Sequence, residues 1–219
     1  MILGKIIPRI AFVLVLGLFV SMNVKLCEIK PHNCDEIFTF YHSKGGGFED
    51  FIDQTSSGFN RMPPIYFFAM KVLFSEPNFI YNCRLLSLLF AIAGILFFYK
   101  ISRLWLDVEM SLCLSVCGLL GSATFWEFST DARPYSLCFL FLTIFIYKIF
   151  VYELRGRNKK TDKFQLFVVC FILPSCHYLY GISALLIGIT HFYSSRGKKW
   201  DVLKIYLCSG IFFIVLHLL

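Results

Sequence analysis

Charge is scarce in this chain. Only 16% of its 219 residues are Asp, Glu, Lys or Arg, against 58% hydrophobic and 18% aromatic, and the mean hydropathy is +0.70. A soluble domain of this length needs a far more polar exterior, so the composition excludes one and indicates an integral membrane protein. Metal-ligand spacing is also missing. The nine cysteines are scattered and lie mostly inside apolar runs, Cys113 and Cys117 sit one helical turn apart as packing residues, and His32 and His42 have no partners at ligand spacing, so no metal is assigned. After the first apolar run, SMNVKLCEIK offers no A-x-A-like cleavage site, so that run reads as an uncleaved anchor and not a removed signal peptide. Acids number 14 against 21 bases, a net charge of +7. The bases cluster between apolar runs as topology signals and not as a binding face, so no nucleic-acid partner is implied.

What the chain does have is apolar blocks near the ~20 residues that cross a ~30 Å hydrocarbon core as helix. Hydropathy places seven spans, at 6–27, 84–105, 108–127, 134–152, 164–179, 181–195 and 202–219, the fifth and sixth short enough to form one tight hairpin. The expected fold is an all-α polytopic transmembrane bundle, because a helix satisfies its own backbone in lipid. Four basic groups fall on one side if the N-terminus is inside: Lys5 with Arg9, Lys100 with Arg103, the run Arg155, Arg157, Lys159, Lys160 and Lys163, and Arg196 with Lys198 and Lys199. That side is cytoplasmic by the positive-inside rule.

The other side carries the long segment 28–83, with seven acids and four bases. The pair Asp35-Glu36 opens an apolar-aromatic run like a helix start, where the helix dipole favours acids. GGG at 45–47 is a turn, FEDFID at 48–53 begins a second amphipathic piece, and MPPIYFFAMKVLF reads as a helix lying in the membrane interface. Cys34 and Cys83 both face this side and are free to pair, although the spacing does not require it. Between the third and fourth spans stands FSTDARPYSL, where an acid and an arginine interrupt a long apolar stretch at real cost near a bilayer. Its plain reading is an Asp131–Arg133 ion pair beside a helix-starting Pro134. The plain readings of Asp35 and His177 are a solvated helix-start acid and a satisfied interfacial histidine.

In order and spacing these pieces resemble the GT-C membrane glycosyltransferases, especially the protein O-mannosyltransferases and the bacterial aminoarabinose transferases. The matching strings are CDEIFTFYH (34–42), MPPIYFF (62–68), RLLSLLFAIAGILFFYKISR (84–103), STDARPYSL (129–137) and HYLYG (177–181), the last with Cys176 where relatives often have threonine. The resemblance implies a single seven-span module over 1–219, with external loop 28–83 and without the C-terminal part of the family. It implies an enzyme on the outer face of the cell membrane that moves a sugar from a polyprenyl-phosphate-linked donor to a lipid, glycan or protein acceptor.

By position, the resemblance makes Asp35 the candidate general base and Glu36 its orienter or an acceptor contact. Arg133 is the candidate for the leaving phosphate, with Arg84 and Arg61 as weaker ones, and His177 and Tyr178 are candidate donor contacts. Three roles are open to Asp131: holding the arginine, facing the acceptor, or, as in some relatives, binding a divalent cation, no other cofactor being expected. The competing expectation is a non-catalytic transport or assembly subunit, or an inactive truncated fragment. The few charges near mid-span argue against a translocation path.

Overall fold

The computed structural model describes residues 2–44, 65–73, 78–155, 160–194 and 203–211, and every regular element among them is helical. In chain order these are α1 (Ile2–Ile29), α2 (Cys34–Lys44), α3 (Ile65–Leu73), α4 (Phe79–Ser102), α5 (Val108–Ser115), a π-helical turn (Val116–Leu120), α6 (Ala123–Ser129), α7 (Tyr135–Arg155), α8 (Lys160–Cys176), α9 (Tyr178–Ser194) and α10 at 203–211. The glycine turn at 45–47, the FEDFID piece, Arg61 and the two prolines of MPPIYFF lie outside the described residues.

Among the described residues, three helices are long and apolar enough to cross a bilayer: Ile6–Ile29, Phe79–Ser102 and Tyr135–Leu154. The first shows what solvent it needs. Val13 and Leu14 are each 66% exposed, and Ile7, Ile10 and Leu18 are exposed beside them, an apolar surface that only lipid or another apolar partner tolerates. The expected third span, 108–127, is not one straight helix. Val108–Gly118 and Ala123–Ser129 meet at 79°, and together they make at most a fourth span. The break has identifiable causes: the π turn, and Gly121, where a Cβ would stand 2.7 Å from the Cys117 carbonyl oxygen. Trp126 Nε1 donates to the Leu120 carbonyl at 2.6 Å, which satisfies backbone freed by the bend. The expected fifth and sixth spans form a hairpin of two 17-residue helices, α8 and α9, each about 26 Å long and therefore short of the ~30 Å core. Gly181 of α9 packs so tightly on Pro174 of α8 that a Cβ would come within 2.6 Å of it.

Packing forms three buried clusters. Phe19, Leu88, Ile95 and Leu120 join α1, α4 and the π turn. Phe145, Ile149, Leu166, Leu173, Ala184 and Ile205 join α7 through α10. The third cluster caps one end: Tyr66, Phe67 and Met70 of α3 pack on Phe79, Cys83 and Ala132. The segment expected to lie in the interface is therefore anchored by one face to the bundle, while Phe68, Val72 and Leu73 remain exposed. Cys34 is exposed and Cys83 buried, and both are free thiols, so the disulfide allowed by the sequence is not formed.

Candidate active site

Six charged side chains meet at the end of the bundle where α1 finishes and α4 and α7 begin. They form three ion pairs: Lys30–Asp131, Arg84–Glu36 and Arg133–Asp35. The DAR string does not pair with itself. Its acid turns to Lys30 of the α1–α2 link and its arginine to Asp35 of α2, so two distant parts of the sequence are tied to one short turn.

Local structure explains how α2 delivers its two acids. Asn33 caps the helix: its side-chain oxygen accepts from the Glu36 amide at 2.8 Å, and Glu36 Oε2 accepts from the Asn33 amide at 3.3 Å, a capping box with asparagine in the leading place. This turns Glu36 inward and leaves Asp35, one residue earlier, outside. Glu36 is fully buried. Its Oε1 accepts from Arg84 Nε at 2.8 Å and from the Ala132 amide at 2.9 Å, and its Oε2 accepts from Arg84 Nη2 at 2.6 Å. Burial pushes the carboxyl's pKa upward, but the Arg84 and Ala132 hydrogen bonds outweigh that and hold it below its ordinary value. Glu36 thus has no oxygen left to orient Asp35 or grip an acceptor, and the expected role gives way to a structural one.

Arg84 is likewise spent. It is 1% exposed, and besides its fork on Glu36 it donates from Nη1 to the carbonyls of Cys27 (3.0 Å) and Lys30 (2.8 Å) and from Nη2 to that of Pro31 (3.1 Å). All five guanidinium N–H groups are occupied, so Arg84 has nothing to offer a phosphate. The resemblance placed it among the weaker phosphate candidates. Here the charge fastens α1, α2 and the DAR turn to α4.

The turn itself is held from four directions. Asn23, buried in α1, accepts from Ser129 Oγ at 2.9 Å; Glu36 takes the Ala132 amide; the Arg133 amide donates to the Asp131 carbonyl at 2.8 Å; and Ser136 Oγ donates to the Phe128 carbonyl at 2.8 Å. Asp131 is 5% exposed. Burial raises its pKa, against the opposing pull of Lys30. A divalent cation at Asp131 would have to displace that ammonium, and among the described residues no three His, Cys, Asp or Glu are arranged to hold a metal. Sequence reasoning missed Lys30 and Asn23. Lys30 counted only as a loop charge, although its place at the end of α1 was a usable signal.

Arg133 and Asp35 differ from the other pairs. The Arg133 side chain is 6% exposed and the Asp35 side chain 56%, and they approach at 3.3 Å. Arg133 Nη1 adds a 3.3 Å bond to the Asp35 carbonyl, and among the described residues its buried Nε–H has no acceptor. His177 lies in the α8–α9 junction, its ring 5.7 Å from Tyr135 and 5.9 Å from Tyr180. Its Nδ1 accepts from the Leu179 amide at 3.2 Å. Tyr178 stands apart from the charged cluster, 46% exposed over an apolar crevice of about 370 Å³ with Pro174, Gly181 and Tyr206. An open cleft of about 500 Å³ lies beside α2, lined by His32, Phe40, Tyr41, Asn78 and Phe79, and neither Asp35 nor Arg133 lines it.

Comparison with protein-family models, with curated proteins and with solved structures finds no match.

Proposed function

We propose that the chain is a multi-pass cell-membrane glycosyltransferase module of the GT-C type, which transfers a sugar from a polyprenyl-phosphate donor to a lipid, glycan or protein hydroxyl at the outer face. One observation carries this reading. Of the three ion pairs, Arg84–Glu36 is fully buried and Lys30–Asp131 mostly so, whereas Arg133–Asp35 is the longest, is open to solvent on its acidic side, and among the described residues leaves a buried N–H unused. Because Asp35 is half exposed, water screens the pair and the acid can turn to solvent, so a substrate parts it more readily than the other two.

Parted, the two groups have complementary work. Asp35 takes the proton of the acceptor hydroxyl as that oxygen attacks the anomeric carbon, while the bond from that carbon to the phosphate oxygen breaks. Arg133 receives the negative charge that develops on the departing polyprenyl phosphate, its unused Nε–H and the Nη2–H released from Asp35 forming a two-pronged grip. Glu36, Arg84, Lys30 and Asp131 hold these two in place. The resemblance set out above supports the same assignment.

The test compares binding and turnover of a polyprenyl-phosphate sugar. Arg133→Lys keeps the charge and loses the planar fork, so transfer should fall while the protein stays folded, and Arg133→Ala should lose more. Arginine variants that bind and transfer like the parent would remove Arg133 from the phosphate site. The second reading, a non-catalytic membrane subunit, draws on the internal neutralisation of all six charges, and it gains if the unaltered chain neither binds nor turns over such donors.

The proposed orientation has its own check. Cysteines introduced at 44–60 should react with an impermeant thiol reagent added outside and those at 156–162 only from inside. Labelling of both from one side would sink the seven-pass arrangement.

A further inference from the structure

Behind Arg133, α7 and α8 meet in a seam that the proposed chemistry does not use. They run antiparallel, and Lys148 of α7 donating to Gln165 of α8 fixes their register. Ten residues earlier on α7 and eleven later on α8, the same register sets Cys138 opposite Cys176. The ring contact between Tyr135 and His177 at 5.7 Å brings the same two ends together, because Tyr135 shares a helix face with Cys138 and His177 follows Cys176. Both cysteines are 0% exposed and both are free thiols.

We propose that Cys138 and Cys176 form a redox-closable pair, which a disulfide-bearing oxidant links, fixing the turn that carries Arg133 to the α8–α9 junction that carries His177. The step balances by exchange. One chain thiolate attacks a sulfur of oxidised glutathione and releases one glutathione; the second thiolate attacks that mixed disulfide and releases the other. The oxidant's S–S bond breaks, the Cys138–Cys176 bond forms, the chain loses two electrons, and the two thiol protons end on the two glutathiones. Full burial makes the first attack depend on opening of the one-residue junction at His177 between α8 and α9, so closure should be slow in the folded state and, once made, resistant to mild reductant.

The experiment uses the full chain in detergent micelles, incubated with oxidised glutathione, denatured in alkylating reagent and mapped by mass spectrometry. The expected result is a linked peptide joining the segments around Cys138 and Cys176, lighter by two hydrogens than its parts. A higher unfolding midpoint should accompany it and revert with dithiothreitol. Cys138→Ala and Cys176→Ala should each lose both the linked peptide and the shift. Recovery of Cys138 and Cys176 as separately alkylated residues, or linked to other cysteines, overturns the proposal. This readout is independent of sugar transfer, so it fails or holds separately from the functional reading.

Discussion

Asp35→Asn is expected to leave the protein folded and to lower sugar transfer by ~10²–10⁴-fold, the range for loss of a general base. The fold should tolerate the change because Asp35 contributes little to it. Its side chain is 56% exposed, its one ion pair is long, and the α2 cap belongs to Asn33 and Glu36. The Arg133 bond to the residue 35 carbonyl also survives the substitution. What is removed is the one carboxylate among the six charges that a hydroxyl can reach from solvent. The loss should fall on kcat and on kcat/KM alike, because asparagine preserves shape and polarity for binding yet cannot take the proton as the acceptor attacks. Steady-state kinetics beside a melting curve decide the matter. A variant that melts like the parent and turns over at the parent rate would strip Asp35 of the role and leave the acid at the mouth as a helix-start charge.

Particular residues show how far the sequence could be read. The membrane class and the all-helical architecture follow from apolar length alone, which is why the helices beginning at Ile2, Phe79 and Tyr135 fall close to the expected spans. The bend in the third expected span was not legible, because hydropathy records how apolar a segment is and not whether its axis stays straight. The π turn and the close approach at Gly121 are backbone events that leave no trace in mean hydropathy. At the mouth, the sequence marked Asp35, Glu36, Arg84, Asp131 and Arg133, and the fold brings all five together. What it could not assign was who pairs with whom. Asp131 and Arg133 are two residues apart and invite a local pair, yet the Ala132 amide bound to Glu36 splays them toward different partners. Nor could adjacency separate Asp35 from Glu36. Only the cap geometry turns one into the bundle and the other out.

The strongest effect on stability is expected at Arg84. Arg84→Leu should cost ~3–5 kcal/mol, because it strands the Glu36 carboxylate, fully buried, without its cation. Three carbonyls, of Cys27, Lys30 and Pro31, lose their donor at the same time. The double variant Glu36→Leu/Arg84→Leu should be less damaged than the sum of its parts, since the stranded charge goes with its partner and only the carbonyls and the Ala132 and Asn33 amides lose their partners. The pH dependence gives an independent reading. With Arg84 present, Glu36 has a folded-state pKa below its ordinary value of 4.5, so its contribution to stability is full above that value and is lost as pH falls through the depressed one. Without Arg84 only the Ala132 and Asn33 amides oppose the burial effect, the largest influence on this carboxyl, and the folded-state pKa rises, so the sign reverses: the variant should gain stability on acidification through the range where the parent still holds its own. Melting midpoints in detergent across mildly acidic pH, for the parent, Arg84→Leu and the double variant, test this directly. An Arg84→Leu protein with the parent's midpoint and the parent's acid limb would mean that the Glu36–Arg84 pair is not what fastens α2 and the DAR turn to the bundle.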